Sequence, residues 1–390
     1  MDDLIKKLVV DLERTPAIFL DIRTIYANLE LLKDKCKILY PLKPLAHPEV
    51  LRAIGKYVDG FSVSSLFEAR LVKDLFGTEK IIHFTSPCIK ESDLREIADY
   101  CNHISLNSIK QLKLIGENDT DFCSLGLRIN TELSFVKDQR YDPSRLPSKL
   151  GIPLSALKGD VVDNLNGIWN VQGILIHSNC ESEDFEELDS SIKQLENAIP
   201  SLLRRVDWIN FGGGYLFDQS SNWSVFDRLV SRLQNKYGLD VYFEPGKGVV
   251  GEAGSIVSSV VDIIDNGDKK LAVLDTTVNH MPEVFEFQYR PQIAQESPGG
   301  AHSYLLAGAS CLAGDVFGEY TFAEPLELGS TVVMYGVGAY NLVKAPTFNG
   351  LPLPSIYSLG ANGEVTLMKE FTLEEQSSRW GFKASACFGN

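Results

Sequence analysis

With 390 residues, 44% of them hydrophobic and 23% charged, the chain is longer than one barrel of about 250 residues and can build a large core without disulfides. A net charge of −15 disfavours nucleic acid, whose phosphates are bound by basic residues; it mildly favours cationic small molecules, though an acidic surface that simply keeps the protein in solution is the plainer reading. No apolar run nears the roughly 18 residues of a membrane helix.

The opening MDDLIKKLVVDLERTP is amphipathic and lacks the basic start, continuous apolar stretch and small-residue cleavage site of a secretory signal. Seven scattered cysteines (Cys36, Cys88, Cys101, Cys123, Cys180, Cys311 and Cys387) form no CxxC pair, which fits a reducing compartment and argues against a metal ribbon. A cytoplasmic protein with neither membrane nor metal attachment is expected.

PAIFLDI (16–22) reads as a strand, and TIYANLELLKDK after it as a helix. Eight short, almost continuously apolar runs then follow: 37–42, 60–64, 80–85, 103–107, 124–129, 173–178, 206–211 and 240–245. Between them lie stretches such as SLFEARLVKDLF, ESDLREIADYC, FEELDSSIKQLENAIPSLLRR and SVFDRLVSRLQNKYG, with apolar residues every three or four positions. Apolar strands joined by helices imply parallel strands buried on both faces, and eight such units imply a (β/α)8 TIM-type barrel over residues 22–255. After residue 255, GSIVSSVVDII, KKLAVLDTTV, SYLLAGAS and STVVMYGV alternate between turn signals. Residues 256–390, joined by 1–21, are therefore expected to form an appended antiparallel β-domain.

Function in such a barrel collects where the strands end. Those ends present Lys43, Ser62 and Ser64, Arg128, His177, the run Gly212, Gly213 and Gly214, and Glu244. Lys43 in YPLKPL has apolar surroundings that can lower its basicity enough for Schiff-base formation with an aldehyde; an ordinary exposed lysine reads equally well. The three glycines follow the seventh strand, where barrels often bind phosphate through backbone N–H groups, or they form a tight structural turn. Glu244 in FEPG can pair with a pyridinium nitrogen, or sit in some other ion pair. His177 can stack on a ring or act as acid or base, although a lone histidine is usually structural. In the later segment, Cys311 can protonate a carbanion or simply fill space, Asp315 can bind an ammonium, and Tyr340 can bond a phosphate. Together the strand-end chemistries converge on one cofactor.

The order and spacing of SSLFEARL, NSIKQL, GLRIN, HSNCE, WINFGGG, YFEPG, SCLAGD and the Tyr340 to Phe348–Gly350 stretch resemble the alanine-racemase-like (fold type III) pyridoxal-phosphate decarboxylases over nearly the whole chain. Within that family the chain looks most like the carboxynorspermidine/carboxyspermidine branch. The resemblance implies that Lys43 links to the cofactor, His177 stacks on its ring, and Gly212, Gly213, Gly214 and Tyr340 hold its phosphate. It further implies that Glu244 meets the ring nitrogen, Arg128 lies near the phenolic edge, Asp315 binds the substrate amine, and Cys311 returns a proton from the partner subunit of a homodimer.

Three departures stand out. Lys43 lies between Pro41 and Pro44, and Lys247 in EPGKG stands where the family branch has an acid. Lys247 can hold phosphate, or repel a distal ammonium and accept an acidic group. In NHMPEVFEFQYRP (279–291), Arg290 can bind an acid, and Glu283 or Glu286 an amine. The expected activity is decarboxylation of a carboxylated polyamine. The alternatives are another amino-acid moiety in siderophore or peptide-antibiotic synthesis, a racemase, and a silent homologue, the last opposed by the joint presence of Lys43, His177, Glu244 and Cys311.

Overall fold

The computed structural model describes residues 14–116, 123–157, 170–360 and 362–381. The amphipathic N-terminal stretch up to residue 13 and Cys387 lie outside the described residues. The chain divides into a unit Tyr26–Val249 and a second unit made of Met1–Ile25 and Val250–Asn390.

In chain order, β1 (Ala17–Asp21) precedes the first unit, whose strands are β2 (Lys37–Pro41), β3 (Gly60–Val63), β4 (Ile81–Thr85), β5 (His103–Leu106), β6 (Ser124–Asn130), the two-residue β7 (Ile152–Pro153), β8 (Gly173–Ile176), β9 (Trp208–Asn210) and β10 (Asp240–Phe243). All but β7 form a closed parallel ring. It runs β2-β3-β4-β5-β6-β8-β9-β10 and closes with Tyr242 opposite Lys37. Among the described residues β7 pairs with β6 alone. The eight apolar runs are these eight strands; burial on both faces is what made them legible.

Shape complementarity fills the ring. Trp208 on β9 is buried, and its indole occupies room left by two glycines: a Cβ at Gly173 would lie 1.9 Å from the ring, and one at Gly126 2.3 Å. Its Nε1 donates to Ser124 Oγ at 2.8 Å, so the buried polar atom is satisfied.

Around the ring, the helix Leu66–Phe76 starts at Ser65, whose hydroxyl accepts from Glu68 N. The helix Trp223–Tyr237 buries Val225, Phe226, Leu229, Val230 and Leu233 on one stripe and ends at Gly238 in the left-handed region (φ 74°). The segment expected as one helix from Phe185 is two, Phe185–Ala198 and Pro200–Leu203. Pro200 has no N–H to continue the ladder and clashes with the preceding turn.

The second unit contains β11 (Gly254–Asp265), β12 (Lys270–Leu274), β13 (His302–Ala307), β14 (Val316–Phe322), β15 (Thr331–Tyr335), β16 (Ser355–Leu359) and β17 (Val365–Lys369). With β1 they form one sheet, β14-β13-β12-β11-β1-β16-β17, and β15 pairs with β11. The sheet is mostly antiparallel, as expected, with two parallel pairings mixed in. β12 runs parallel to β13 and β1 parallel to β16. A parallel neighbour needs a long crossover: residues 275–301 separate β12 from β13, and the whole first unit lies between β1 and β16. Ala17, Phe19, Val257 and Val333 form a core here, with Phe19 stacked on Tyr357 at 5.2 Å. Among the described residues no helix is long and apolar enough to cross a membrane.

Candidate active site

The C-terminal mouth of the ring gathers Lys43, Arg128, His177, the three glycines and Glu244. Lys43 leaves β2 between two prolines that pack on the neighbouring turn; a Cβ at Gly246 would lie 2.8 Å from Pro44 Cγ and 3.2 Å from Pro41 Cγ. The prolines and Gly246 therefore fit as a set. Tyr40 Oη donates to Leu45 O at 3.1 Å and Leu42 N to Ser62 O at 3.1 Å, clamping the turn on either side of the lysine.

Burial pulls the Lys43 ammonium below its ordinary value; Arg128 adds to this, while Glu244, Cys180 and Glu68 oppose it. The side chain is nevertheless accessible by area. Surrounding protein still strips water from the amine, and that desolvation is the dominant influence. The Arg128 guanidinium is pulled down to about 10, mainly by burial and against the pull of Glu244. No hydrogen bond or ion pair reaches either cation from the described residues.

Glu244 is 5% exposed, and burial pushes its carboxyl upward, against Lys43, hydrogen bonds from Asn210 and Ser62, and Arg128. Two poorly solvated cations without direct partners thus face one buried carboxylate. Such an arrangement asks for an anionic ligand carrying a basic ring atom.

His177 accepts from Gly213 N at 3.0 Å through Nδ1, which places its proton on Nε2. Burial, Lys43 and Arg128 hold the ring well below its usual basicity, so it is neutral and presents a flat face.

In the glycine turn, Gly212 N donates to Asn210 Oδ1 at 2.8 Å and Gly213 N to His177 Nδ1, so neither N–H is open to phosphate. Among the described residues none accepts from Gly214 N. The glycines are demanded by close packing: a Cβ would meet Ile176 O at 2.4 Å from Gly212, Glu244 O at 2.3 Å from Gly213, and Asn179 O at 2.0 Å from Gly214.

Lys247 pairs with Glu181 at 2.7 Å, the glutamate of HSNCE, held at φ 57°. Its charge is met within the barrel unit by that glutamate.

In the second unit, Cys311 is exposed and its backbone N donates to Asn349 Oδ1 at 2.7 Å. Asp315, expected to take a substrate amine, is 3% exposed and already bonded. It accepts from Val278 N at 2.8 Å, Ser310 N at 2.9 Å and Ser310 Oγ at 2.5 Å, and so organises the Cys311 loop. Arg290 is likewise engaged, by Glu296, by Glu319 O at 2.8 Å, and by stacking 4.0 Å over Tyr320. Glu283 is buried and lies 3.6 Å from Lys344, which also pairs with Glu286, so both expected amine binders already face a cation. Tyr340 takes a left-handed conformation (φ 60°) before the helix Asn341–Lys344.

Sequence reasoning missed Asn210 and His83, wholly buried on β9 and β4, together with Glu68 and Cys180 beside the lysine. Alternation along β9 could have pointed Asn210 inward, whereas His83 in IIHFT reads as core.

The family model of the pyridoxal-dependent decarboxylases, pyridoxal binding domain, matches residues 21–259. The chain belongs to this family. It is 34% identical over 386 residues to a carboxynorspermidine/carboxyspermidine decarboxylase of Campylobacter jejuni, covering 94% of this chain and 98% of that one. A carboxyaminopropylagmatine decarboxylase of Synechocystis is 32% identical over 370 residues, covering 90% and 93%. The crystal structure of the Campylobacter jejuni carboxynorspermidine decarboxylase complexed with norspermidine superposes with a TM-score of 0.84 at 32% identity, over 94% of this chain and 100% of that one. The chain is thus a pyridoxal-phosphate-dependent decarboxylase, and the unpaired cations facing a buried carboxylate suit that cofactor.

Proposed function

We propose that this decarboxylase removes the α-carboxylate of a carboxylated polyamine. The single observation that carries the assignment of its site is the pair of partnerless cations, Lys43 and Arg128, opposite buried Glu244 at the barrel mouth. Relatives named for carboxylated polyamine substrates over nearly the full length support the substrate class.

Bound pyridoxal phosphate supplies an electron-poor ring that takes up the electron pair left when CO2 departs. Lys43, its basicity lowered by desolvation, offers a free amine to the cofactor aldehyde and later a group that can carry a proton. Glu244 keeps a proton on the ring nitrogen. Arg128 would lie toward the cofactor's phenolic edge, and neutral His177 would pack on its ring face. Gly214 N–H, the one of the three left open, and Tyr340 hold phosphate, while Gly212 and Gly213 keep the turn closed on the strands. Cys311 Sγ delivers the proton to the carbon that has lost CO2.

We place Cys311 in its partner's site within a homodimer. Leu312, Phe285 and Phe348 near it are exposed apolar side chains, an unusual frame for a solvent-facing loop. The six cysteines among the described residues form no disulfide, and a reducing, cytoplasmic setting is part of this proposal.

Measured CO2 release over carboxylated polyamines and basic amino acids tests the substrate; faster turnover of diaminopimelate or ornithine would overturn it. Mixing Lys43→Ala with Cys311→Ala chains tests the shared site. By symmetry, random pairing restores about a quarter of wild-type activity. No recovery after confirmed subunit exchange rejects the shared arrangement.

A further inference from the structure

One backbone N–H determines a buried proton arrangement running from the glycine turn to Glu244. Gly212 N can only donate, so the Asn210 atom it meets at 2.8 Å is the oxygen. The other end of that amide is then the NH2, which donates to Glu244 Oε1 at 2.7 Å and to His83 Nδ1 at 2.8 Å. His83 must carry its proton on Nε2, where it meets Ser105 Oγ at 2.7 Å. Asn210, His83 and Ser105 are wholly buried, and the ring of His83 is walled by Trp208 at 5.1 Å and His103 at 5.7 Å. A protonated His83 would aim an N–H at the Asn210 NH2, so the arrangement admits only the neutral ring. Around Glu244 the other polar groups are Ser62, Lys43 and Arg128.

We propose that Asn210, backed by His83, is a positioning residue that orients the Glu244 carboxylate toward the cofactor's ring nitrogen and couples that orientation to the glycine turn. The inference rests on the reading of Glu244 given above. Its logic is one of exclusive roles: Asn210 has two donor hydrogens, one goes to Glu244, and His83 removes the other from competition. Glu244 thus remains an acceptor with one oxygen held.

The test is affinity for two cofactors. The full chain is stripped and reloaded with pyridoxal phosphate or with its 1-deaza analogue, in which carbon replaces the ring nitrogen. Wild type should prefer the natural form by about tenfold or more, the order of one hydrogen bond to a charged group. Asn210→Leu, of similar volume, should shrink that preference at least about threefold. Loss of the Gly212 contact weakens both cofactors alike and leaves the ratio unmoved, so the ratio isolates the ring nitrogen. His83→Leu should shrink it less, and His83→Asn, which restores an acceptor near the Nδ1 position, should recover it. Should Asn210→Leu fail to fold, Asn210→Asp keeps the shape but sets a second acceptor against Glu244, and the preference should collapse. A wild-type ratio in folded Asn210→Leu or Asn210→Asp overturns the inference while the Glu244 reading stands. A wild type indifferent to the nitrogen overturns both.

Discussion

The barrel mouth and the Cys311 loop hold charged groups in opposite ways. At the mouth, Lys43 and Arg128 have no direct partner among the described residues. In the loop unit, Asp315, Arg290, Glu283 and Lys344 are each engaged by neighbours of their own unit. Desolvated charge without a partner is unfavourable and persists where a ligand completes it; fully bonded charge is scaffolding. The difference separates groups left open to a ligand, which the proposed function assigns to the cofactor, from groups that shape the loop carrying Cys311.

The largest effect should come from the mouth. Lys43→Ala is expected to lower kcat/KM by at least about a thousandfold, as for other groups acting on the reacting atoms, with loss of the lysine-linked visible absorbance. An unchanged spectrum would break the comparison at its first term. Arg128→Ala should weaken cofactor binding by roughly ten- to a hundredfold in equilibrium titration.

Asp315→Ala should act differently. Three donors lose a buried carboxylate, so about 3 kcal/mol of stability should go in urea unfolding, while cofactor affinity stays within about twofold. Weaker cofactor binding with unaltered stability would assign Asp315 to the site after all.

Acid should separate the two units further. Burial depresses His83, His103 and His177 in the barrel, with His103 at about 4, whereas in the second unit only His280, also at about 4, is depressed among the described residues. A depressed histidine stays neutral in the fold while the unfolded chain takes up a proton below about 6.5, so the stability it contributes is complete above that pH. It is lost as pH falls from there toward about 4 for His103 and His280. Amide exchange at pH 7 and pH 5 should therefore show the barrel strands losing more protection than β11 to β15.

The smallest effect belongs to Lys247. With its charge met by Glu181 at a partly exposed pair, Lys247→Ala should change stability by under about 1 kcal/mol and leave phosphate affinity nearly constant in cofactor titration. A tenfold loss would restore it to the phosphate site.

Much of this molecule was legible in the chain itself. Parallel strands buried on both faces must be continuously apolar, so eight such runs announce the ring, and strand ends in a barrel are where ligands are met, so Lys43, Arg128, His177 and Glu244 could be named in advance. What the linear order could not show is which polar group is already bonded, because hydrogen bonds join residues far apart: Asn210 lies 127 positions from His83, and Lys247 lies 66 from Glu181. Only the folded backbone decided that Asp315 and Arg290 are bonded within their own unit, that two of three glycine N–H groups are consumed, and that parallel pairings interrupt an otherwise antiparallel sheet. Pattern follows from burial, which each residue records in its own chemistry; partnership follows from proximity, which the fold alone creates.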